Sequence, residues 1–188
     1  MLNSSDGPKA VKLYFDYAWQ PAVRDRRSVH VKRVIAGIQK EDFPKYLAFE
    51  FVPNSAPSNV VRFKKWNHDR AQLLPIAEIN WGSGDATGTI TTLETNSSVP
   101  IKQLRTPKKE SSRSRRFVVD GQTYKWKIMP NGTDLRCFTD GGLRSDCIVA
   151  EWKDAEKTMW ADTMSDRLRE QVVLSLYLNL YYISIGQW

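Results

Sequence analysis

The chain has 188 residues, 41% of them hydrophobic, with 7 Trp, 7 Tyr and 7 Phe. That supply of core-forming side chains excludes a disordered regulator, and the length suits one domain or at most two small ones. Lys and Arg outnumber Asp and Glu 28 to 21, giving a formal charge of +7, which directs attention to anionic partners.

Residues 1–10 are small and polar and read as a flexible N-terminal arm. No basic segment followed by an unbroken apolar run opens the chain, so a cytoplasmic or nuclear location is expected, with peripheral membrane contact compatible with it. From Ala10 onward AVKLYFDYAW, SVHVKRVIAGI, YLAFEFV and NVVRFKKW mix apolar and polar residues over short distances. Pro, Asn, Asp and Gly separate them, as expected for short strands. EDFPKY holds room for one helical turn, limited by Pro44. In IAEINW, Ala77, Ile79 and Trp81 alternate with Ile76, Glu78 and Asn80, a pleated pattern, and GSGDATG turns the chain toward TITTLE. GSGDATG lacks the Gly-Lys-Ser/Thr ending of a phosphate loop.

The segment 102–116, KQLRTPKKESSRSRR, holds seven basic residues and one acid. Having almost no apolar side chain to bury, it is expected to be a long, mobile basic loop, neither strand nor helix. In FVVDGQTYKWKI, Asp120-Gly121 supplies a two-residue hairpin turn, and Tyr124, Trp126 and Ile128 face away from Lys125 and Lys127. MPNGTD and GGLRSD are further turns, and LRCFTD, CIVAEWKD and EKTMWAD further strands. The tail EQVVLSLYLNLYYISIGQW is the most apolar stretch. From Val172 to Ile185 it is 14 residues, too short for the roughly 20 that a spanning helix needs. Leu174, Leu176, Leu178 and Leu180 alternate as on a strand. The charged lead-in, the helix-forming Leu and Glu, and a cap at Thr163 or Ser165 favour a helix instead. Such a helix is apolar nearly all round and belongs in a core, with Leu174, Leu176, Leu178, Tyr181 and Ile183 buried.

No catalytic constellation emerges. His30 and His68 lie apart from each other and from Cys137 and Cys147. Both histidines read as ordinary polar or surface residues and both thiols as small buried hydrophobes. No metal or other cofactor is expected. The basic stretches are the better clue. Besides 102–116, residues 24–33 carry five basic residues and one acid, and RFKKWNHDR adds Arg62, Lys64, Lys65 and Arg70. The candidate anion-binding residues are Lys102, Arg105, Lys108, Lys109, Arg113, Arg115, Arg116, Arg24, Arg26 and Arg27. Phosphorylation of Ser111, Ser112 or Ser114 would subtract charge from the segment.

IAEINW, FVVDGQTYKWK, IVAEWK and the hydrophobic C-terminal helix together resemble a fungal domain of unknown function in the tubby C-terminal-like superfamily. The plant LURP-one-related proteins and the phospholipid scramblases belong to the same group. The resemblance covers residues 75–188, and the first 75 share only its strand-rich look. It implies a mainly β (α+β) fold: a closed antiparallel β-barrel of twelve strands around a hydrophobic C-terminal helix, spanning 11–188 as a single domain. Tubby proteins bind phosphoinositide head groups through basic residues, but their binding motif is not present here and none of its residues transfers. The scramblases' calcium-binding and cysteine-rich segments are also missing. The first expected function is a non-enzymatic module docking on anionic phospholipid. A nucleic-acid or protein adaptor, with Phe63 and Trp66 as stacking faces, comes second. An enzyme or small-ligand carrier with a pocket at the barrel mouth comes third.

Overall fold

The apolar tail is helical. Helix α1 (Asp166–Ser184) starts at Ser165, whose hydroxyl accepts from the Leu168 amide at 3.2 Å, satisfying one of the donors a helix start leaves open. It stops where Gly186 takes a positive φ of 75°, with the Gln187 amide donating to the Tyr182 carbonyl at 2.8 Å. The cap and the stop resolve the ambiguity that leucine alternation leaves in the sequence. Residues 172–179, eight in a row, are buried. Leu174, Leu176 and Leu178 are among them, whereas Tyr181 and Ile183 in the last turn are only half-buried.

The computed structural model describes residues 10–17, 27–52, 59–82, 88–109, 112–141 and 146–188. Of the arm expected at 1–10, residues 1–9 lie outside them. The chain forms two compact units, residues 14–106 and residues 1–13 with 107–188. Strand β1 (Val11–Asp16) crosses the first boundary.

In the unit 14–106, five consecutive hairpins form an antiparallel meander. Its strands are β2 (Val29–Arg33), β3 (Lys45–Val52), β4 (Val60–Asn67), β5 (Gln72–Asn80), β6 (Thr89–Thr92) and β7 (Ser97–Pro100). Phe49 and Phe63 lie opposite each other in register and stack with centroids 4.6 Å apart, and Val29, Val31, Leu47 and Ile79 are fully buried in the same unit. The expected single turn around EDFPKY is a 3-10 turn at Lys40–Asp42. Ala77, Ile79 and Trp81 are the buried set along β5 and its end, as their alternation requires.

The unit 107–188 contains β9 (Ser114–Val119), β10 (Gln122–Ile128), β11 (Leu135–Thr139), β12 (Ile148–Lys153), β13 (Thr158–Ala161) and α1, with the two-residue β8 (Thr106–Pro107) at its edge. Asp120 and Gly121, at φ 49° and 78°, make the β9–β10 turn. Two positive φ values match the strand twist of a two-residue hairpin. Phe117 pairs with Tyr124 and stacks on it at 5.5 Å. A row across the strands reads Arg115, Trp126, Cys137, Ala150, Ala161. Trp126 is fully buried and its indole donates to Ser175 Oγ of α1 at 2.9 Å, so one side chain ties sheet to helix.

Among the described residues thirteen strands are hydrogen-bonded in the order β7-β6-β5-β4-β3-β2-β1-β13-β12-β11-β10-β9-β8. The fold is thus mainly antiparallel β with one C-terminal helix, as expected. The pairing is an open series and not the closed ring of twelve that the resemblance implies. Both end strands finish in a proline, Pro100 and Pro107, which has no amide to extend a ladder.

The segment 102–116 requires a correction. Instead of containing no strand or helix, it takes in most of a 3-10 turn at Ile101–Leu104, the two-residue β8 (Thr106–Pro107) and the start of β9 at Ser114. The reason is that inward alternation does not stop at Phe117. Arg115 occupies the next inward position, and its long stem packs there like an apolar side chain.

Candidate functional site

Strand register decides which cations are already neutralised. On β4, Arg62 lies opposite Glu78 and pairs with it at 3.2 Å, and Lys64 pairs with Glu50 of β3. Glu50 also has His30 Nε2 at 3.8 Å from its other oxygen. His30 and Lys64 together hold its carboxyl below the usual range, against the opposing effect of burial. His30 is therefore no surface residue: it is 1% exposed, because residues 29–32 are buried without a break. His68 sits in an exposed turn, as expected. Lys32, at the end of the same buried run, pairs with Asp16 at 3.0 Å.

The other unit has its own cluster. Asp140 faces Arg116 at 2.6 Å and Lys125 at 3.0 Å, while Asp146 faces Lys125 at 2.6 Å and Lys127 at 3.9 Å. Burial pulls the Lys125 ammonium down, but Asp146 and Asp140 outweigh it and raise the group above its usual range. Burial likewise pushes Asp140 up, and Lys125 and Arg116 reverse that, leaving it lowered. A carboxyl lowered by folding contributes stability that is complete above its unfolded value, near 4, and is lost as pH falls through the folded value. Asp140→Asn should therefore lower the urea midpoint at pH 7 and flatten its decline on acidification below about pH 4. Parallel pH curves for variant and wild type would show that the cluster contributes nothing.

The ten candidate anion-binding residues separate accordingly. Arg24 and Arg26 lie outside the described residues. Arg27 is half-buried, with its guanidinium 3.8 Å over the Phe51 ring and an N–H donated to Asn59 Oδ1 at 3.2 Å. Arg105 is half-buried. Arg116 is committed to Asp140. Arg115 is 6% exposed. It donates to the carbonyls of Ser112 and Ser114 at 2.8 and 3.1 Å and lies 5.0 Å over the Trp188 ring, and burial lowers its pKa. It holds the start of β9 in place and is withdrawn from solvent. Lys102, Lys108, Lys109 and Arg113 remain, all exposed and, among the described residues, without a carboxylate partner. The unit boundary at 106/107 falls inside this segment.

Two further expectations change. Phe63 is buried against Phe49 and offers no stacking face, which removes one support for a single-strand nucleic-acid surface, and Trp66 is half-buried. Cys137 is buried, with its thiol pushed well up by desolvation, but Cys147 is exposed at the start of β12. Ser112 and Ser114 are half-buried and share a hydroxyl contact at 2.9 Å, so a phosphate on either must break it. Ser111 lies outside the described residues. Sequence reading missed the roles of Glu50, Asp140 and Asp146 as counter-ions, because register, not spacing, brings them to their cations. No group of three or more His, Cys, Asp or Glu among the described residues is placed to hold a metal ion. No described helix is long and apolar enough to cross a membrane.

The fold and these charges define a mainly antiparallel β protein with a buried C-terminal helix and a short exposed basic segment. Comparison with protein-family models gave no match, and neither did comparison with curated proteins or with solved structures.

Proposed function

We propose that this protein is a non-enzymatic docking module of tubby-like type that binds anionic phospholipid surfaces through its basic segment. The reading rests on one observation. Lys102, Lys108, Lys109 and Arg113 are exposed and unpaired among the described residues, while Arg62, Lys64, Arg116 and Lys125 are neutralised by carboxylates. A basic side chain near an anionic bilayer contributes about 1 kcal/mol, attenuated by salt. Four together give reversible docking and no permanent anchor.

Changing Lys102, Lys108, Lys109 and Arg113 to Glu should abolish co-sedimentation with phosphatidylserine-containing liposomes at physiological salt. Arg115 and Arg116 are kept, since one is buried and the other paired, and their loss would disturb β9. Liposome binding that survives the four replacements would refute the docking role. Displacement of the protein from liposomes by stoichiometric DNA would favour the nucleic-acid adaptor instead.

A further inference from the structure

The connection between β2 and β3 leaves two isoleucines in water although it has an apolar seat for a third side chain. The Arg33 amide donates to the Pro44 carbonyl at 2.9 Å and closes the base of the loop. Just inside, Phe43 is buried and meets Tyr14 edge-on with centroids 6.3 Å apart. At the other end the chain makes a tight turn, the Ile38 amide donating to the Ile35 carbonyl at 3.3 Å, with Gly37 at φ 80°. Positive φ at the third position is what a type II turn demands. The turn brings Ile35 and Ile38 together, and each is 42% exposed. A Cβ built on Gly37 would meet nothing within 4 Å, so the turn is open to its surroundings. The loop is therefore anchored by Phe43 at its base and leaves its aliphatic pair outside.

We infer that this turn is a membrane-contacting tip whose isoleucines enter the interfacial layer of the bilayer on which the protein docks, an inference that rests on the docking function proposed above. Three features favour a lipid surface over a protein. Two side chains fall far short of the roughly 800 Å² per partner of a stable protein interface, whereas interfacial insertion scales with small increments of apolar area. The cations flanking the turn are held on aromatic rings, Arg33 over Tyr46 at 4.6 Å and Lys40 over Tyr14 at 5.2 Å. Tyr46 is buried and Tyr14 half-buried, so both cations are held against the body of the unit and the isoleucines are left as the protruding apolar element. Finally, Glu41 and Asp42 offset most of the charge of Arg33, Lys40 and Lys45, so the contact at this loop is apolar and adds to, without duplicating, what the basic segment contributes.

The test uses liposomes of phosphatidylcholine with phosphatidylserine and the full chain. Ile35→Ser with Ile38→Ser removes apolar surface that folding already leaves exposed. It should weaken binding at least tenfold and make the remainder fully releasable by salt. A second variant, Ile38→Trp, should show fluorescence quenched by lipids brominated on their acyl chains, beyond the quenching of the seven native tryptophans. Wild-type binding that is lost with the Lys/Arg→Glu replacements, yet unaltered by the Ile→Ser pair and without added quenching in the Trp variant, overturns the loop inference and leaves docking intact. Absence of any wild-type binding overturns docking, and the loop inference with it.

Discussion

Trp126→Ala should destabilise the protein by roughly 3–5 kcal/mol, the range for truncating a large buried aromatic. The side chain is fully buried, its neighbours along the cross-strand row on one side are Cys137, Ala150 and Ala161, and its indole N–H meets Ser175 of α1 at 2.9 Å. Those small neighbours have no long side chain to swing into the vacated space, so the cavity cannot collapse. Trp126→Phe retains most of the volume and loses the hydrogen bond. Combined with Ser175→Ala in a double-mutant cycle it should show a coupling of about 1 kcal/mol. The measurement is urea denaturation followed by circular dichroism. A Trp126→Ala midpoint within error of wild type would mean that the sheet–helix tie is not stabilising.

Leu176→Ala is expected to cost about 2–5 kcal/mol, because Leu176 is fully buried in the middle of a helix with eight consecutive buried residues. An amphipathic surface helix would present such a site on one face only and tolerate changes on the other. Leu176→Met, which conserves volume, should cost less than about 1.5 kcal/mol. Removing everything after Glu170 deletes the whole buried stretch and should leave a chain without cooperative unfolding. A truncated protein that unfolds at the same denaturant concentration as the intact one would refute the helix's place in the core.

Much of the architecture was legible because it rests on short-range chemistry. Asp120-Gly121 between two alternating runs can hardly be anything but a hairpin turn, and both residues take the positive φ that such a turn needs. Of the two caps the sequence offers, Thr163 and Ser165, Ser165 marks the start of α1. The alternation of Ala77, Ile79 and Trp81 picked out their burial. Alternation at Arg115 was harder to read. A cation at an inward strand position looks like a loop residue until the sheet shows its stem packed and its guanidinium held by the Ser112 and Ser114 carbonyls.

The sequence by itself therefore determined the strand-rich class, the helical tail and the excess of positive charge, since local propensity, periodicity and composition carry each of them. Only the tertiary structure decided which charges are available. Arg62, Lys64, Arg116 and Lys125 look no different in the sequence from Lys108, Lys109 and Arg113. Pairing with Glu78, Glu50, Asp140 and Asp146 depends on the register between neighbouring antiparallel strands and on the loops that join them. The same holds for burial: His30 and Phe63 alternate like any strand residues, and it takes neighbouring strands to cover one and stack on the other. A charge or a ring acts through what it faces, and what it faces is fixed by cross-strand register, which the periodicity of a single strand does not encode.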